Sequence, residues 1–370
     1  MCTREGMNQS RKIRYAVVGA GNIAQVAVLP AFAHAEENSE LVALVSGDAK
    51  KRAVLRDRYS LAADGDYAEF EQVLERASAD AVYIATPNAL HKEYTLRAAA
   101  VKRHVLCEKP LAATEADCLE MDAACRRAGV KLMVAYRLHF EEATLAALET
   151  VRSGKLGELR LFSSFFSHVV RPGDIREELA LAGGAAYDLG IYCINAARNL
   201  FDAEPTSVAA DIVEKNGTDD TTTVMLRFPG DRLAQFCVSN SVASVSSYRI
   251  GGSEGDLRVE PGYDYVGELV HYLTVGGETS KRSFKRGDQF APEIKYFSDC
   301  ISRDREPEPS AEEGACDVRV VEAILASARA RRAIELPPYQ RTRRPDAAQA
   351  EHVRPVKKQE PVNAPSPSLK

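Results

Sequence analysis

A lysine follows a predicted buried strand in the run HVLCEKP, residues 104–110. The carboxyl ends of parallel strands border the crevice in which open α/β sheets bind ligands, so Lys109 is placed to point into that crevice. An ammonium group there would stabilise negative charge that develops on a substrate oxygen. The alternative is a solvent-exposed lysine in a turn, which is where most lysine side chains lie.

A carboxylate and a phenol stand four residues apart in the run GGAAYDLGIY, residues 183–192. A glycine turn leads there into a predicted helix, on which Asp188 and Tyr192 share one face. A phenol can relay a proton to a carbonyl oxygen, and a carboxylate can hold a neighbouring hydroxyl group. Together with Lys109, these groups suit hydride transfer to or from a carbon that bears a hydroxyl. The alternative is an Asp that caps the helix and a Tyr that packs in the core.

A site for the hydride carrier is indicated near the start of the chain. The run VVGAGNIA, residues 17–24, has the pattern G-x-G-x-x-A between an apolar strand and a helix. Gly19 permits the tight turn, Gly21 lets the backbone approach a pyrophosphate, and Ala24 allows the helix to pack closely on the sheet. The amino end of the helix then faces the phosphates. We therefore predict a dinucleotide site.

The tip of the second strand, Ser46-Gly47, decides which dinucleotide binds. An acidic residue at this tip would bind a free ribose 2′-hydroxyl and repel a 2′-phosphate. Here a hydroxyl, a glycine, and Lys51 and Arg52 one helical turn later form a predicted phosphate seat, which favours NADP over NAD. NAD is the alternative if Asp48 points inward to the ribose, or if the basic residues are only a solvated helix face.

The strand predicted at Ala81–Ala85 leads into the loop TPNALH, residues 86–91, at the same edge of the sheet. We expect this loop to line the cleft. His91 either has a structural role near the nicotinamide or is a surface residue at the start of a helix. The predicted cofactor-binding residues are Gly19, Gly21, Asn22, Ile23, Ser46, Gly47, Lys51, Arg52, Thr86, Pro87, Asn88, His91, Glu108, Lys109 and Arg137.

The elements that must position these groups alternate between β-rich runs and helical stretches up to about Arg137. This alternation is typical of a parallel sheet wrapped by crossover helices, and it predicts a doubly wound Rossmann domain. The strands are nearly continuous apolar runs, as expected when both faces of a sheet are covered. The predicted strands are Ile13–Val18, Leu41–Val45, Ala81–Ala85, His104–Cys107 and Lys131–Val134.

The pattern changes after Phe140, where runs separated by Gly, Pro and Asn turns predict a second, α+β domain with a mostly antiparallel sheet. We assign residues 1–11 to a flexible arm, 12–137 to the Rossmann domain, 138–336 to the second domain and 337–370 to a flexible tail. The tail has too few large apolar residues to order itself. The predicted strands are 159–167, 221–228 and 233–242. One predicted helix ends near residue 153, and three others span 185–200, 293–302 and 317–333.

The composition excludes several classes of protein. With 45% hydrophobic residues, 27% charged residues and a net charge of −5, the chain matches neither a disordered protein, nor a membrane protein, nor a nucleic-acid binder. Because no apolar segment precedes the first strand, we expect no signal, no spanning helix and a cytoplasmic location. The eight cysteines are scattered without zinc spacing, so we expect reduced thiols and no metal.

The motifs GAGNIA, TPNALH, CEKP and GG-x-x-YDLGIY, in this order, resemble those of the Gfo/Idh/MocA family of oxidoreductases. The runs ALVSG at 43–47 and DAVYI at 80–84 are most similar to its glucose-fructose oxidoreductase branch. The resemblance implies that Lys109 contacts the substrate oxygen, that Tyr192 donates or accepts the proton and that Asp188 holds a neighbouring hydroxyl. It also implies a second domain whose large open sheet forms a homodimer or homotetramer interface. The stretch 171–178 departs from the aromatic-Arg-Leu segment of many relatives, which leaves the substrate open.

The sequence thus predicts an NAD(P)-dependent dehydrogenase or reductase that acts on a CH–OH group of a sugar or polyol. A dihydrodiol dehydrogenase or an anhydro-sugar reductase is the alternative within the same chemistry. A non-catalytic, NADP-binding sensory subunit is the alternative of another class, and the presence of Lys109, Asp188 and Tyr192 argues against it.

Overall fold

Two sheets organise the chain. The structure is a computed structural model that describes residues 11–339, 341–357 and 359–369. One sheet has six strands and the other nine, which confirms the predicted Rossmann domain followed by an α+β domain. The predicted N-terminal arm lies outside the described residues except for Arg11, whose guanidinium donates to Asp80 at 2.7 Å. In the described part of the chain, no helix is both long and apolar enough to cross a membrane.

The six-stranded sheet is parallel throughout and forms the Rossmann domain. Its strands, in chain order, are β1 (Ile13–Val18), β2 (Ser39–Val45), β3 (Ala63–Gly65), β4 (Ala81–Ile84), β5 (His104–Glu108) and β6 (Leu132–Ala135). They lie in the order β3-β2-β1-β4-β5-β6, so the strand order reverses between β1 and β4. Ligands bind at the carboxyl ends of strands beside such a reversal. The five predicted strands are present, and the strand missed by the prediction is β3, a three-residue edge strand.

Helices cover this sheet and connect its strands. The helix that follows the glycine loop opens with a π-type turn at Ala24–Val28. Asp48 and Thr114 cap the amino ends of two other helices, because their side chains accept hydrogen bonds from the exposed N–H groups of the first turn. The helices are α1 (Leu29–Ala31), α2 (Ala49–Tyr59), α3 (Phe70–Arg76), α4 (His91–Ala100) and α5 (Glu115–Ala128).

The nine-stranded sheet belongs to the second domain. Its strands are β7 (Leu159–Ser167), β8 (Ser207–Lys215), β9 (Thr218–Phe228), β10 (Arg232–Ser239), β11 (Val245–Gly252), β12 (Gly255–Val259), β13 (Leu269–Val275), β14 (Glu278–Phe284) and β15 (Ile334–Glu335). They lie in the order β14-β13-β12-β11-β7-β10-β9-β8-β15. Neighbouring strands are antiparallel except for β7 and β10, so the sheet is mostly antiparallel, as predicted.

One face of the nine-stranded sheet is covered by helices, and among the described residues the other face has no helix packed on it. The remaining helices are α6 (Glu142–Arg152), α7 (Ile191–Leu200), α8 (Ala291–Ser302) and α9 (Ala311–Ala330). Helices α6, α7 and α9 pack on the second sheet, whereas α8 returns to the Rossmann domain and packs on β1 and β2. The open face carries Leu161, Val213 and Met225, whose side chains are largely exposed.

The segment after Pro337 runs along the body of the protein. The sequence predicts a flexible tail here because the segment has no core of its own. Within the described residues, its polar groups bond to the two domains instead. The Arg341 guanidinium is buried against Glu204 at 2.7 Å and against Glu313, inside an ion-pair cluster that also contains Arg198. The segment therefore gains its contacts from the domains, which the composition of the tail alone does not indicate.

Candidate active site

A cleft of about 850 Å³ lies between the two domains at the carboxyl edge of the parallel sheet. Its walls come from the loops after β1, β2, β4 and β5, from the turn before α7 and from the second sheet. Its volume is typical of pockets that enclose small molecules. The predicted site residues that line it are Gly19, Gly21, Asn22, Ile23, Ser46, Lys51, Thr86, Pro87, Asn88, Glu108, Lys109, Arg137, Asp188 and Tyr192.

The glycine loop after β1 forms one wall of the cleft. Gly19 has φ +98°, and a Cβ atom there would lie 2.4 Å from the carbonyl oxygen of Ala85. Only glycine fits this turn, because both the conformation and the close approach exclude a side chain. A Cβ atom at Gly21 would meet no atom within 4 Å, so this backbone opens onto free space at the start of a helix. The loop therefore fits a dinucleotide whose pyrophosphate lies on the helix amino end.

The tip of β2 contributes a smaller part of the predicted phosphate seat than expected. Ser46 and Lys51 line the cleft. Arg52 does not, because its guanidinium donates to the Ser46 carbonyl oxygen and to Asp64 at 3.3 Å. Gly47 does not line the cleft itself, but it lies next to the ring of Tyr67, which does.

Both oxygens of the Asp48 carboxylate are engaged in hydrogen bonds. One oxygen accepts from the Lys51 N–H at 3.0 Å, and the other accepts from the Asn363 amide at 3.1 Å. These bonds lower the pKa of Asp48, so the group is ionised where it caps α2. The arrangement favours the interpretation in which Ser46 and Lys51, not Asp48, meet the ribose.

The loop after β4 reaches across to the second domain. The Asn88 amide donates to the Ala182 carbonyl oxygen at 2.8 Å. His91 is fully buried and does not line the cleft, so it is not the surface residue of the alternative interpretation. Its ring nitrogens lie 2.8 Å from the Pro110 carbonyl oxygen and 3.0 Å from that of Thr86. Burial lowers the pKa of His91, and a neutral ring can donate to only one of these two oxygens. The ring lies between the loop after β4 and the loop after β5.

Lys109 extends from the end of β5 into the cleft and meets the two other predicted catalytic groups, Asp188 and Tyr192. Its Nζ donates to the carbonyl oxygen of Asp188 at 3.0 Å and to Oδ1 of Asp188 at 3.3 Å. The same nitrogen lies 4.6 Å from the centre of the Tyr192 ring. Burial opposes the charge of Lys109, but Tyr192, Asp188 and Glu108 outweigh it, so the pKa of this ammonium is raised. Lys109 is therefore a cation held in contact with a phenol and a carboxylate.

Two side chains that the sequence analysis did not select, Arg176 and His168, lie beside Asp188. Arg176 donates from Nε to Oδ2 of Asp188 at 2.7 Å, and Nε2 of His168 lies 3.8 Å from the same oxygen. Burial alone would raise the pKa of Asp188, but Arg176, Lys109 and His168 lower it far below its usual value. Arg176 lies in the stretch 171–178, which the sequence analysis noted only as a departure from related proteins.

Tyr192 lies among aromatic rings and a second arginine. The Arg137 guanidinium carbon is 5.1 Å from the centre of the Tyr192 ring. Arg137 is itself held by the Tyr263 carbonyl oxygen at 2.6 Å and by Gln289. Asp188 belongs to a π-type turn, Ala186–Gly190, rather than to a regular α-helix. Asp188 and Tyr192 both line the cleft all the same.

A buried acidic pair, Glu108 and Glu293, shares the hydroxyl group of Tyr83. The Tyr83 hydroxyl is 2.8 Å from Oε1 of Glu108 and 3.0 Å from Oε1 of Glu293. Burial and the neighbouring charge of Glu108 raise the pKa of Glu293 well above its usual value. Sequence analysis could not find Glu293, because it comes from α8, nearly two hundred positions further along the chain than Glu108.

A dinucleotide loop, an inter-domain cleft and a contacting lysine, carboxylate and phenol define a nicotinamide-dependent oxidoreductase. Comparison with known families agrees. The oxidoreductase family with an NAD-binding Rossmann fold matches residues 13–136, and the GFO/IDH/MocA C-terminal domain matches residues 144–258. The chain belongs to the Gfo/Idh/MocA family.

Individual relatives cover most of the chain. D-xylose 1-dehydrogenase (NADP(+)) of Haloarcula marismortui is 32% identical over 341 residues, which are 88% of this chain and 93% of that protein. Trans-1,2-dihydrobenzene-1,2-diol dehydrogenase of Mus musculus is 30% identical over 67% of this chain and 74% of that protein. The crystal structure of aldose-aldose oxidoreductase from Caulobacter crescentus, complexed with glycerol, superposes with a TM-score of 0.84. It is 35% identical and covers 88% of this chain and all of that one.

Proposed function

We propose that the protein transfers a hydride reversibly between NADP and the carbon of a CH–OH group in an aldose or a related polyol. The observation that carries this proposal is the contact of Lys109 with both Asp188 and Tyr192 inside the cleft that begins at the glycine loop. The relatives that act on D-xylose and on aldoses support a sugar as the substrate.

The bound nicotinamide would accept or supply the hydride at its ring. The remaining work falls to side chains of this chain. As hydride arrives at a substrate carbonyl carbon, negative charge develops on the oxygen, and the Lys109 ammonium stabilises it at close range. The Tyr192 hydroxyl donates the proton to that oxygen, and it accepts the proton in the opposite direction.

Asp188 has two tasks in this proposal. It keeps Lys109 charged and directed toward the reacting oxygen, because Nζ bonds to Oδ1 and to the main-chain oxygen of the same residue. It also offers a carboxylate to a neighbouring substrate hydroxyl. Arg176 holds this carboxylate in place from the opposite side at 2.7 Å. A substrate with several adjacent hydroxyls would use all of these contacts.

A dihydrodiol is the second candidate substrate, because the relative from Mus musculus acts on one and because aromatic rings line the same cleft. Phe166, Tyr263 and Tyr265 lie there, and ring faces suit a flat hydrocarbon as well as the apolar face of a sugar.

The deciding experiment offers the full-length protein a panel of aldoses, polyols, an anhydro-sugar and trans-dihydrodiols, with NADP+ and with NAD+, and follows nicotinamide absorbance. We expect the highest kcat/KM with an aldose and NADP+. The highest kcat/KM with a dihydrodiol would replace the sugar proposal with the second candidate. Cofactor binding without turnover of any substrate would favour a non-catalytic sensory subunit instead.

We also propose that the chain forms a homo-oligomer through the open face of the nine-stranded sheet. Leu161, Val213 and Met225 are 47%, 65% and 51% exposed on that face, and an exposed apolar surface of this kind is typical of an interface. Sedimentation of the full chain should give a dimer or tetramer, and Met225→Glu should shift it toward monomer. A monomer in both cases would contradict the proposal.

A further inference from the structure

A strap formed by residues 359–369 crosses the mouth of the cofactor cleft from one domain to the other. Its first part lies on the Rossmann domain. Gln25, one turn after the glycine loop, exchanges two hydrogen bonds with the strap: Nε2 donates to the Val362 carbonyl oxygen at 3.0 Å, and Oε1 accepts from the Val362 N–H at 2.7 Å. The Asn22 amide, at the start of the helix that faces the pyrophosphate, donates to the Ala364 carbonyl oxygen at 2.9 Å.

The last part of the strap lies on the second domain. The Arg171 N–H donates to the Pro367 carbonyl oxygen at 2.7 Å, and Nε of Arg171 donates to the Ser366 carbonyl oxygen at 3.1 Å. The Leu369 N–H donates to the Val169 carbonyl oxygen at 2.9 Å. These bonds add a short antiparallel bridge next to the end of β7. The strap is therefore fastened on both sides of the cleft.

The cleft beneath the strap stays open. Pro367 and Ser368 line the same cavity as the glycine loop at one end and Lys109 at the other. Ala364 is 8% exposed, so its methyl group is covered by the body of the protein. The strap does not fill the space next to Gly21, since a Cβ atom there would meet no atom within 4 Å.

From this geometry we infer that the strap is a further part of the dinucleotide site. It covers the pyrophosphate region after the cofactor enters and slows its release. The strap also ties the two domains together, since release needs the bonds on at least one side to break. This inference goes beyond the proposed hydride transfer and reverses the expectation of a flexible tail.

The test measures NADPH dissociation from the full chain by stopped-flow displacement, with no substrate present. Deletion of residues 359–370 leaves Arg341 and its ion pairs in place, and it should speed dissociation about tenfold or more, because differences in affinity within one binding site lie mostly in the off-rate. An unchanged dissociation rate would overturn the inference. Tighter NADPH binding after deletion would also overturn it, because that result describes a segment that competes with the cofactor.

A matched pair of point variants tests the strap without shortening the chain, so misfolding of the shortened chain cannot explain the result. Ala364→Lys puts a long charged side chain where a methyl group is covered, and Pro365→Lys puts the same side chain on the exposed neighbouring position. Faster NADPH release is expected in Ala364→Lys alone. Equal release rates in the two variants would count against the strap.

Hydrogen exchange gives a readout that does not depend on activity. Amide exchange in the peptide 359–369 should slow when NADP+ binds, because the Val362 and Leu369 N–H groups are donors in the fastened strap. Exchange that is unchanged or faster with NADP+ would contradict the inference.

Discussion

The two halves of the cleft bind their ligands by different means. The Rossmann half presents main chain: a glycine at φ +98°, a second glycine that faces open space and the amino end of a helix. The second-domain half presents Asp188 and Arg176, a pair of charged side chains that also meets Lys109 from the Rossmann domain. The first half can be read from a short local motif, whereas the second depends on groups that meet only in the folded chain. Substitutions in the two halves should therefore impair the enzyme in different ways.

The largest effect is expected at the point where the halves touch. Lys109→Ala should lower kcat about a thousand-fold, because it removes the cation that faces the reacting oxygen. NADPH affinity, measured by fluorescence titration, should change little, because the glycine loop is untouched. Lys92→Ala is the control, since Lys92 pairs with Asp117 at 2.6 Å on α4 and α5. Turnover of Lys109→Ala at the parent rate would end the proposed role of this lysine.

A smaller loss is expected for the phenol. Tyr192→Phe should lower kcat about a hundred-fold, because proton transfer would then rely on water. Tyr187→Phe is the matched control. Tyr187 lies on the preceding turn, and its hydroxyl donates to the Ala113 carbonyl oxygen at 2.6 Å. Steady-state kinetics of the pair decide the question: equal kcat values would show that Tyr192 is a packing residue, which was the alternative interpretation of the sequence.

A substitution in the Rossmann half should change the affinity for the cofactor and leave the rate of the chemical step unchanged. Lys51→Ala should weaken NADP+ binding about tenfold and leave NAD+ binding nearly unchanged, because one cation near the 2′-phosphate is lost. Lys50→Ala provides the control, since Lys50 is exposed on the same helix. Isothermal titration with both dinucleotides is the measurement, and equal losses for NADP+ and NAD+ would place Lys51 elsewhere on the cofactor.

The smallest effect at neutral pH, and the clearest in acid, is expected at Arg176. Arg176 helps to lower the pKa of Asp188, so Arg176→Gln should raise that pKa. The carboxylate is lost as the pH falls through its pKa in the folded protein, so the acid limb of kcat/KM should move to higher pH. Arg176→Lys keeps the charge and should restore most of the parent profile. Superimposable profiles for the parent and Arg176→Gln would show that Asp188 does not depend on this arginine.

The same contrast explains what could be predicted from the sequence. Five strands of the parallel sheet have apolar runs that were predicted from the sequence, whereas the short edge strand β3 was missed. Strand β14 is polar and almost wholly exposed and carries no such signal. Lys109, Asp188 and Tyr192 stand in recognisable motifs. Arg176, Glu293 and the strap do not, because their positions follow from tertiary contacts over long stretches of chain.

The shared hydroxyl of Tyr83 has one more consequence. The hydroxyl hydrogen of Tyr83 can be donated to only one of the two carboxyl groups that approach it. The other carboxyl group therefore needs a proton of its own to hydrogen-bond with the same hydroxyl oxygen. Burial raises the pKa of Glu293 well above its usual value and also raises that of Glu108, so we infer that the pair holds one proton between them. With one proton held, the pair keeps a single negative charge, and the neighbouring cations Lys109 and Arg137, which lower the pKa of Glu108, stabilise it.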